Sequence, residues 1–232
     1  MPTSACPNIR RPSTGCPDVT PHRTRIKICG LTREADVDAA VAAGADAVGF
    51  VFYANSPRAV SVERATALAR RLPPFVTPVG LFVNASVDEI AAACAAIPTL
   101  LLQFHGDESP ADCEAPARPW LRAARMAPGL DLLDFASQFR NASGLLLDAH
   151  VEGYGGGGKV FDWSLVPRNV PLPLVLSGGL NPANVAVGVR QLRPWAVDVS
   201  SGVESDAPGC KGIKDADAIH RFCAAVRAAD AD

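Results

Sequence analysis

A cysteine, a histidine and two carboxylates each stand at the end of a short apolar run: Cys29 before Gly30, His105 before Gly106, Asp148 after three leucines, and Asp198 between two valines. A thiol and a carboxyl facing each other across one cleft suit proton transfer, one group taking a proton from carbon while the other protonates an oxygen. A free thiol titrates near about 8.5, so Cys29 needs help to act as a base, and Lys27 beneath it is the cation placed to lower that value. Two alternatives stand beside this reading. Cys29 taken alone reads as a small buried hydrophobe, and its position before a glycine at a strand end is what lifts it; Lys27 reads as the structural ion-pair partner of Asp198.

Two further loops carry anion chemistry. Ser177-Gly178-Gly179 and Ser200-Ser201-Gly202 each follow an apolar run and expose backbone N–H groups at helix starts. Gly178, Gly179, Ser201 and Gly202 are therefore candidate phosphate-binding residues for a phosphosugar, unless the glycines serve only the turns. Arg58, in Asn55-Ser56-Pro57-Arg58, is either a solvated loop charge or a fork for a substrate carboxylate. His105 is either a ligand contact or a turn residue.

These groups need a scaffold that brings strand ends together. From Arg25 onward short Val/Ile/Leu runs alternate with alanine-rich helical stretches. Runs at 26–29, 47–52, 78–83, 100–104, 120–125, 144–147, 172–176 and 196–199 read as eight strands. Thr32, Ser61 and Ser86 read as helix N-caps, Gly44 as a C-cap, and Asn181-Pro182 as a helix opening. The stretches 130–139 and 214–228 read as the fifth and last helices, and a short helix starts at Ser109. Eight β-then-α units in about 205 residues point to an α/β fold with a single closed (β/α)8 TIM barrel, with a doubly wound sheet as the alternative. Residues 1–23, rich in Pro, Ser, Thr and Arg without periodicity, read as a disordered N-terminal extension, leaving 24–232 as the barrel domain.

Strand parity then orders the side chains. With Cys29 facing the barrel mouth, Lys27 is inward and Ile26 and Ile28 face the helices; the same alternation turns Gln103, His105 and Asp198 inward. The run Gly155-Gly-Gly-Gly158 is either a mobile lid or a slack surface loop.

Composition limits the partners. A net charge of −2 gives no overall pull toward nucleic acid or an anionic membrane, and no apolar run reaches the roughly 20 residues that span a bilayer. Seven cysteines without C-x-x-C spacing, and four histidines without H-x-x-x-H spacing, predict reduced thiols, no metal site and a cytoplasmic setting. The expected partner is a small phosphosugar, with no cofactor, nucleic acid or membrane, on a monomer or homodimer.

Assembled, these blocks resemble the phosphoribosylanthranilate isomerase family. The resemblance lies in Lys27-Ile-Cys-Gly-Leu-Thr32, Gly44-Ala-Asp-Ala-Val-Gly-Phe-Val-Phe52, Ser56-Pro-Arg58, Val79-Gly-Leu-Phe-Val-Asn84 and Gln103-Phe-His-Gly106. It continues through Leu147-Asp148, Gly155-Gly-Gly-Gly-Lys-Val-Phe-Asp-Trp163, Leu176-Ser-Gly-Gly-Leu-Asn-Pro182 and Val197-Asp-Val-Ser-Ser-Gly-Val-Glu204. Residues 113–139 match poorly, and the loop from Pro208 to Lys214-Asp215 looks longer than the family's. The resemblance implies a cofactor-free Amadori rearrangement with Asp148 as general acid and Cys29 as base. It also implies Arg58 on the anthranilate carboxylate, His105 and Asp198 lining the site, and phosphate held around Gly179 and Gly202. Two other readings compete. A histidine-pathway aldose–ketose isomerase barrel uses a carboxylate where Cys29 stands, and a silent phosphosugar-binding barrel would lack the acid–base pair.

Overall fold

The computed structural model describes residues 23–149 and 160–231. Eight parallel strands close into one barrel in sequence order, and the last pairs with the first. They are β1 (Arg25–Cys29), β2 (Ala47–Val51), β3 (Thr77–Phe82), β4 (Leu101–Phe104), β5 (Trp120–Met126), β6 (Gly144–Ala149), β7 (Leu174–Leu176) and β8 (Ala196–Val199). Closure rules out the doubly wound sheet.

The outer helices are α1 (Glu34–Ala42), α2 (Val62–Ala69), α3 (Val87–Ala96), α4 (Pro110–Glu114), α5 (Leu132–Gln138), α6 (Val185–Leu192) and α7 (Ala216–Ala231). Among the described residues the sixth unit has a 3-10 turn, Trp163–Leu165, where an α-helix would stand. The glycine run at 155–158 lies outside the described residues. None of the described helices is long and apolar enough to cross a membrane.

Helix starts follow local chemistry. Ser61, Ser86 and Ser109 accept the backbone N–H of Arg64, Glu89 and Asp112, and the last two close reciprocal capping boxes. Three expected boundaries shift. Thr32 does not cap α1, which follows Arg33, because the Thr32 carbonyl instead accepts Arg64 Nε and Nη2 at 3.1 and 2.9 Å. Asn181 closes a turn by accepting from Ala183 N at 2.8 Å, so α6 begins only at Val185. Lys214 stays outside α7, and the Asp215 carboxylate accepts Ala218 N at 2.7 Å.

The barrel wall separates two cores. Outward residues such as Ile28, Phe50, Phe82, Phe104 and Leu147 pack under the helices, each burial contributing about 1.5–3 kcal/mol. Ala123, Leu146, Val175 and Ala196 form the small inner core that fills the barrel. Strand register fixes which side chains are neighbours above that layer: Lys27 lies beside Asp198, Cys29 beside Gly49, and Arg125 beside Asp148.

Candidate active site

At the carboxyl end of β1 the thiol of Cys29 is 3% exposed. Burial pushes it up from its ordinary 9.0, against the downward pull of the Lys27 ammonium. Lys27 itself is committed elsewhere, its Nζ donating to Asp198 Oδ1 at 2.8 Å across the β1–β8 seam. Both readings of Lys27 thus meet in one geometry: it is the ion-pair partner of Asp198 and also a cation near the thiol.

On β4 and β6, His105 and Asp148 meet. His105 Nε2 lies 3.0 Å from Asp148 Oδ2, and Gln103 Nε2 lies 3.4 Å from His105 Nδ1. This relay turns the Asp148 carboxyl toward the mouth side of β4. The hydrogen bond suits either protonation state of the acid: a protonated Asp148 donates to Nε2, and an ionised one accepts from it.

Under the same loop lies a second ion pair. Buried Arg122 donates to Glu108 Oε2 at 3.0 Å and to the carbonyls of Phe104 and Gly106 at 3.1 Å. Those carbonyls flank His105, so the pair fixes the turn that presents the imidazole.

The two glycine loops abut. A Cβ on Gly202 would lie 1.9 Å from the Leu180 carbonyl oxygen, and one on Gly178 would lie 3.0 Å from Asp148 Oδ1. Only glycine permits the loops after β7 and β8 to close on each other and on the acid. Gly179, with φ of 67°, has its carbonyl held by Asn184 Nδ2 at 2.9 Å, and a 3-10 turn at Ser201–Val203 follows β8.

Arg58 is buried rather than solvated, with Nε and Nη2 on the Glu204 carboxylate at 2.5 and 3.1 Å. Cys29, Arg58, His105, Asp148, Asp198 and the glycine loops therefore all lie at the carboxyl ends of the strands of one barrel. Among the described residues no group of three His, Cys, Asp or Glu is placed to hold a metal ion.

The family model described as N-(5′-phosphoribosyl)anthranilate isomerase matches residues 26–225. The chain belongs to this family. It is an isomerase of tryptophan biosynthesis. Among its relatives, the N-(5′-phosphoribosyl)anthranilate isomerase of Methylibium petroleiphilum is 78% identical over 209 residues, 90% of this chain and 96% of that protein. That of Leptothrix cholodnii is 70% identical over 92% of this chain and 95% of its own length. The crystal structure of phosphoribosyl anthranilate isomerase from Thermotoga maritima superposes with a TM-score of 0.80 at 41% identity, covering 88% of this chain and 99% of that one. A further phosphoribosyl anthranilate isomerase structure, at a TM-score of 0.77 and 39% identity with the same coverage, holds reduced 1-(o-carboxyphenylamino)-1-deoxyribulose 5-phosphate.

Three residues at this phosphoribosylanthranilate isomerase mouth carry no role in the sequence reading: Glu204, Lys214 and Arg125. Glu204 ends one of the blocks that carry the resemblance and Lys214 follows in the longer loop after it, yet their contacts span loops and leave no local periodicity. Arg125 could have been found from parity, since Leu121, Ala123 and Arg125 share one side of β5. It pairs with Asp107 of the β4–α4 loop.

Proposed function

We propose that the barrel rearranges N-(5′-phosphoribosyl)anthranilate by a cofactor-free Amadori reaction, with Asp148 as general acid and Cys29 as general base. The observation that carries this is the placement of a buried thiol and a histidine-bound carboxyl at the carboxyl ends of β1 and β6 of one closed barrel.

Asp148 donates a proton to the furanose ring oxygen as the C1–oxygen bond breaks, and the anilino nitrogen lone pair forms the protonated Schiff base. Cys29, in the fraction of molecules that have lost the thiol proton to solvent, then removes the proton on C2 as a thiolate. The C–H electrons become the C1–C2 double bond and the imine electrons return to nitrogen, giving an enolamine. Proton transfer from the C2 hydroxyl and to C1 yields 1-(2-carboxyphenylamino)-1-deoxyribulose 5-phosphate. C2 is oxidised and C1 reduced within one molecule, so the step balances without a redox partner. Arg58 holds the anthranilate carboxylate, His105 and Asp198 line the site, and the loops of Gly178, Gly179, Ser201 and Gly202 take the phosphate on backbone N–H groups. The test is loss of anthranilate-type fluorescence when substrate is generated in place from anthranilate and phosphoribosyl pyrophosphate, with the aminoketone identified by NMR. A folded chain that leaves the substrate unchanged would refute the assignment.

The raised Cys29 pKa has its own consequence. Because burial outweighs Lys27, the resting enzyme holds a thiol, so alkylation of Cys29 by iodoacetamide is expected to be slow at neutral pH and still rising at pH 9.0. Mass analysis of the Cys29 peptide across pH checks this; a plateau already reached near neutrality would contradict it.

Self-association belongs to the same proposal. Phe75 is fully exposed and has φ of 73°, after Pro73 and Pro74, beside a cavity of about 420 Å³ lined by residues including Leu72, Val76 and Pro78. An exposed aromatic held in a strained loop beside a recess of mixed apolar and polar lining fits a two-fold interface, in which each copy fills the other's recess. One solved structure from Thermotoga maritima is of monomers generated from a dimeric phosphoribosylanthranilate isomerase. Light scattering is expected to give twice the protomer mass for the native chain and a single protomer for Phe75→Glu. A native protomer that scatters as a monomer would overturn the homodimer.

A further inference from the structure

We propose that Glu204 is a positioning residue. It fixes the Arg58 guanidinium for the aromatic carboxylate of the substrate and ties it to the strand end that carries Cys29. This rests on Arg58 being the carboxylate fork.

Glu204 sits between two buried cations. Its Oε1 accepts from Arg58 Nε at 2.5 Å and from Lys214 Nζ at 2.9 Å, while Oε2 accepts from Arg58 Nη2 at 3.1 Å and from the backbone N–H of Gly212 at 3.0 Å. The Arg58, Lys214 and Glu204 side chains are 9%, 0% and 8% exposed. Burial pushes the Lys214 ammonium down from its ordinary value against the upward pull of Glu204, so the Arg58 guanidinium is the cation this cluster offers to an anionic group entering from the mouth. The Arg58 and Lys214 charges hold the Glu204 carboxyl down at about 2 despite its burial, so it is ionised wherever the enzyme works.

The geometry of the fork agrees. Glu204 engages the side-on edge of the guanidinium, made of Nε and Nη2. Among the described residues Nη1 makes no hydrogen bond to the protein, which leaves the end-on edge for a second carboxylate.

The same carboxylate joins the β2 loop to the β8–α7 loop, which in turn reaches the end of β1. Glu204 and Lys214 form an isolated antiparallel bridge between the two ends of the β8–α7 loop. Lys214 Nζ also donates to the Ser200 carbonyl at 3.0 Å, and Ser200 Oγ donates to the Cys29 carbonyl at 3.1 Å. On the other side the Arg58 stem lies on Gly30, where a Cβ would come within 2.6 Å of Cδ; with φ of 76° this position demands glycine twice over. The carboxylate fork is thus held from the β2 loop and the β8 loop, one residue beyond the thiol.

Binding of two stable phosphosugar probes tests this: the reduced product analogue carrying the 2-carboxyphenylamino group, and its phenylamino counterpart lacking the carboxylate. In Glu204→Gln the acidic oxygen facing Lys214 and Arg58 is lost. The carboxylated probe is expected to weaken about tenfold or more. The counterpart binds as to the native chain, which also reports an intact barrel. Glu204→Asp, which keeps the charge, recovers part of the preference. Equal weakening of both probes, or no weakening of either, overturns the positioning role. Arg58→Met runs in parallel: if it keeps the carboxylate preference, Arg58 is not the fork and the proposal falls with that reading. If Arg58→Met loses the preference and Glu204→Gln keeps it, Glu204 alone is excluded.

Discussion

Asp148→Asn is expected to lower kcat by about 10²–10⁴-fold with little change in KM. The amide has the shape of the carboxyl and keeps a polar contact with His105 Nε2, which lies 3.0 Å from Oδ2 in the native chain. It cannot deliver a proton to the ring oxygen. Substrate contacts elsewhere in the mouth remain, so the loss falls on the transition state rather than on ground-state binding. Steady-state kinetics on both proteins checks this. A comparable rise in KM with kcat preserved would make Asp148 a binding residue.

Cys29→Ala is expected to cost a similar factor in kcat while leaving the fold intact. The substitution also decides between the two readings of this residue. A buried packing cysteine contributes through contacts, so its loss would lower the unfolding temperature and spare the chemistry. A base contributes through its proton affinity, and its removal leaves C2 with no acceptor except water. The thiol stands beside Gly49 in register, where an added Cβ would lie 2.6 Å from the Cys29 sulfur. Thermal unfolding measured beside kcat separates the outcomes, and an active but unstable variant would assign Cys29 to packing.

The barrel was legible because its signals are local. Alternation within each run identifies the strands, and parity within a strand then orients Lys27, Cys29, Gln103, His105 and Asp198 without any knowledge of neighbours. Serine caps at positions 61, 86 and 109 follow for the same reason, since the acceptor and its N–H lie three residues apart. What stayed hidden depends on contacts distant in sequence. Thr32 fails as a cap because Arg64, thirty-two residues away, takes its carbonyl. His105 meets Asp148 only when β4 and β6 curve round one barrel. Glu204 meets Arg58, 146 residues earlier, only once the chain is folded. The candidate acid and base were named from resemblance as well as from pattern, whereas the charge arrangement around Arg58 emerged from the folded chain.

The central claim is a division of labour, with Asp148 opening the ring and Cys29 taking the C2 proton. The most direct measurement compares kcat for substrate carrying protium or deuterium at C2 of the ribose in the two variants. Where the base is missing, C–H cleavage limits turnover, so Cys29→Ala should show a primary isotope effect. Where the acid is missing, ring opening limits turnover before that bond is touched, so Asp148→Asn should show none. An isotope effect in Asp148→Asn and its absence in Cys29→Ala would contradict the assignment and exchange the two roles.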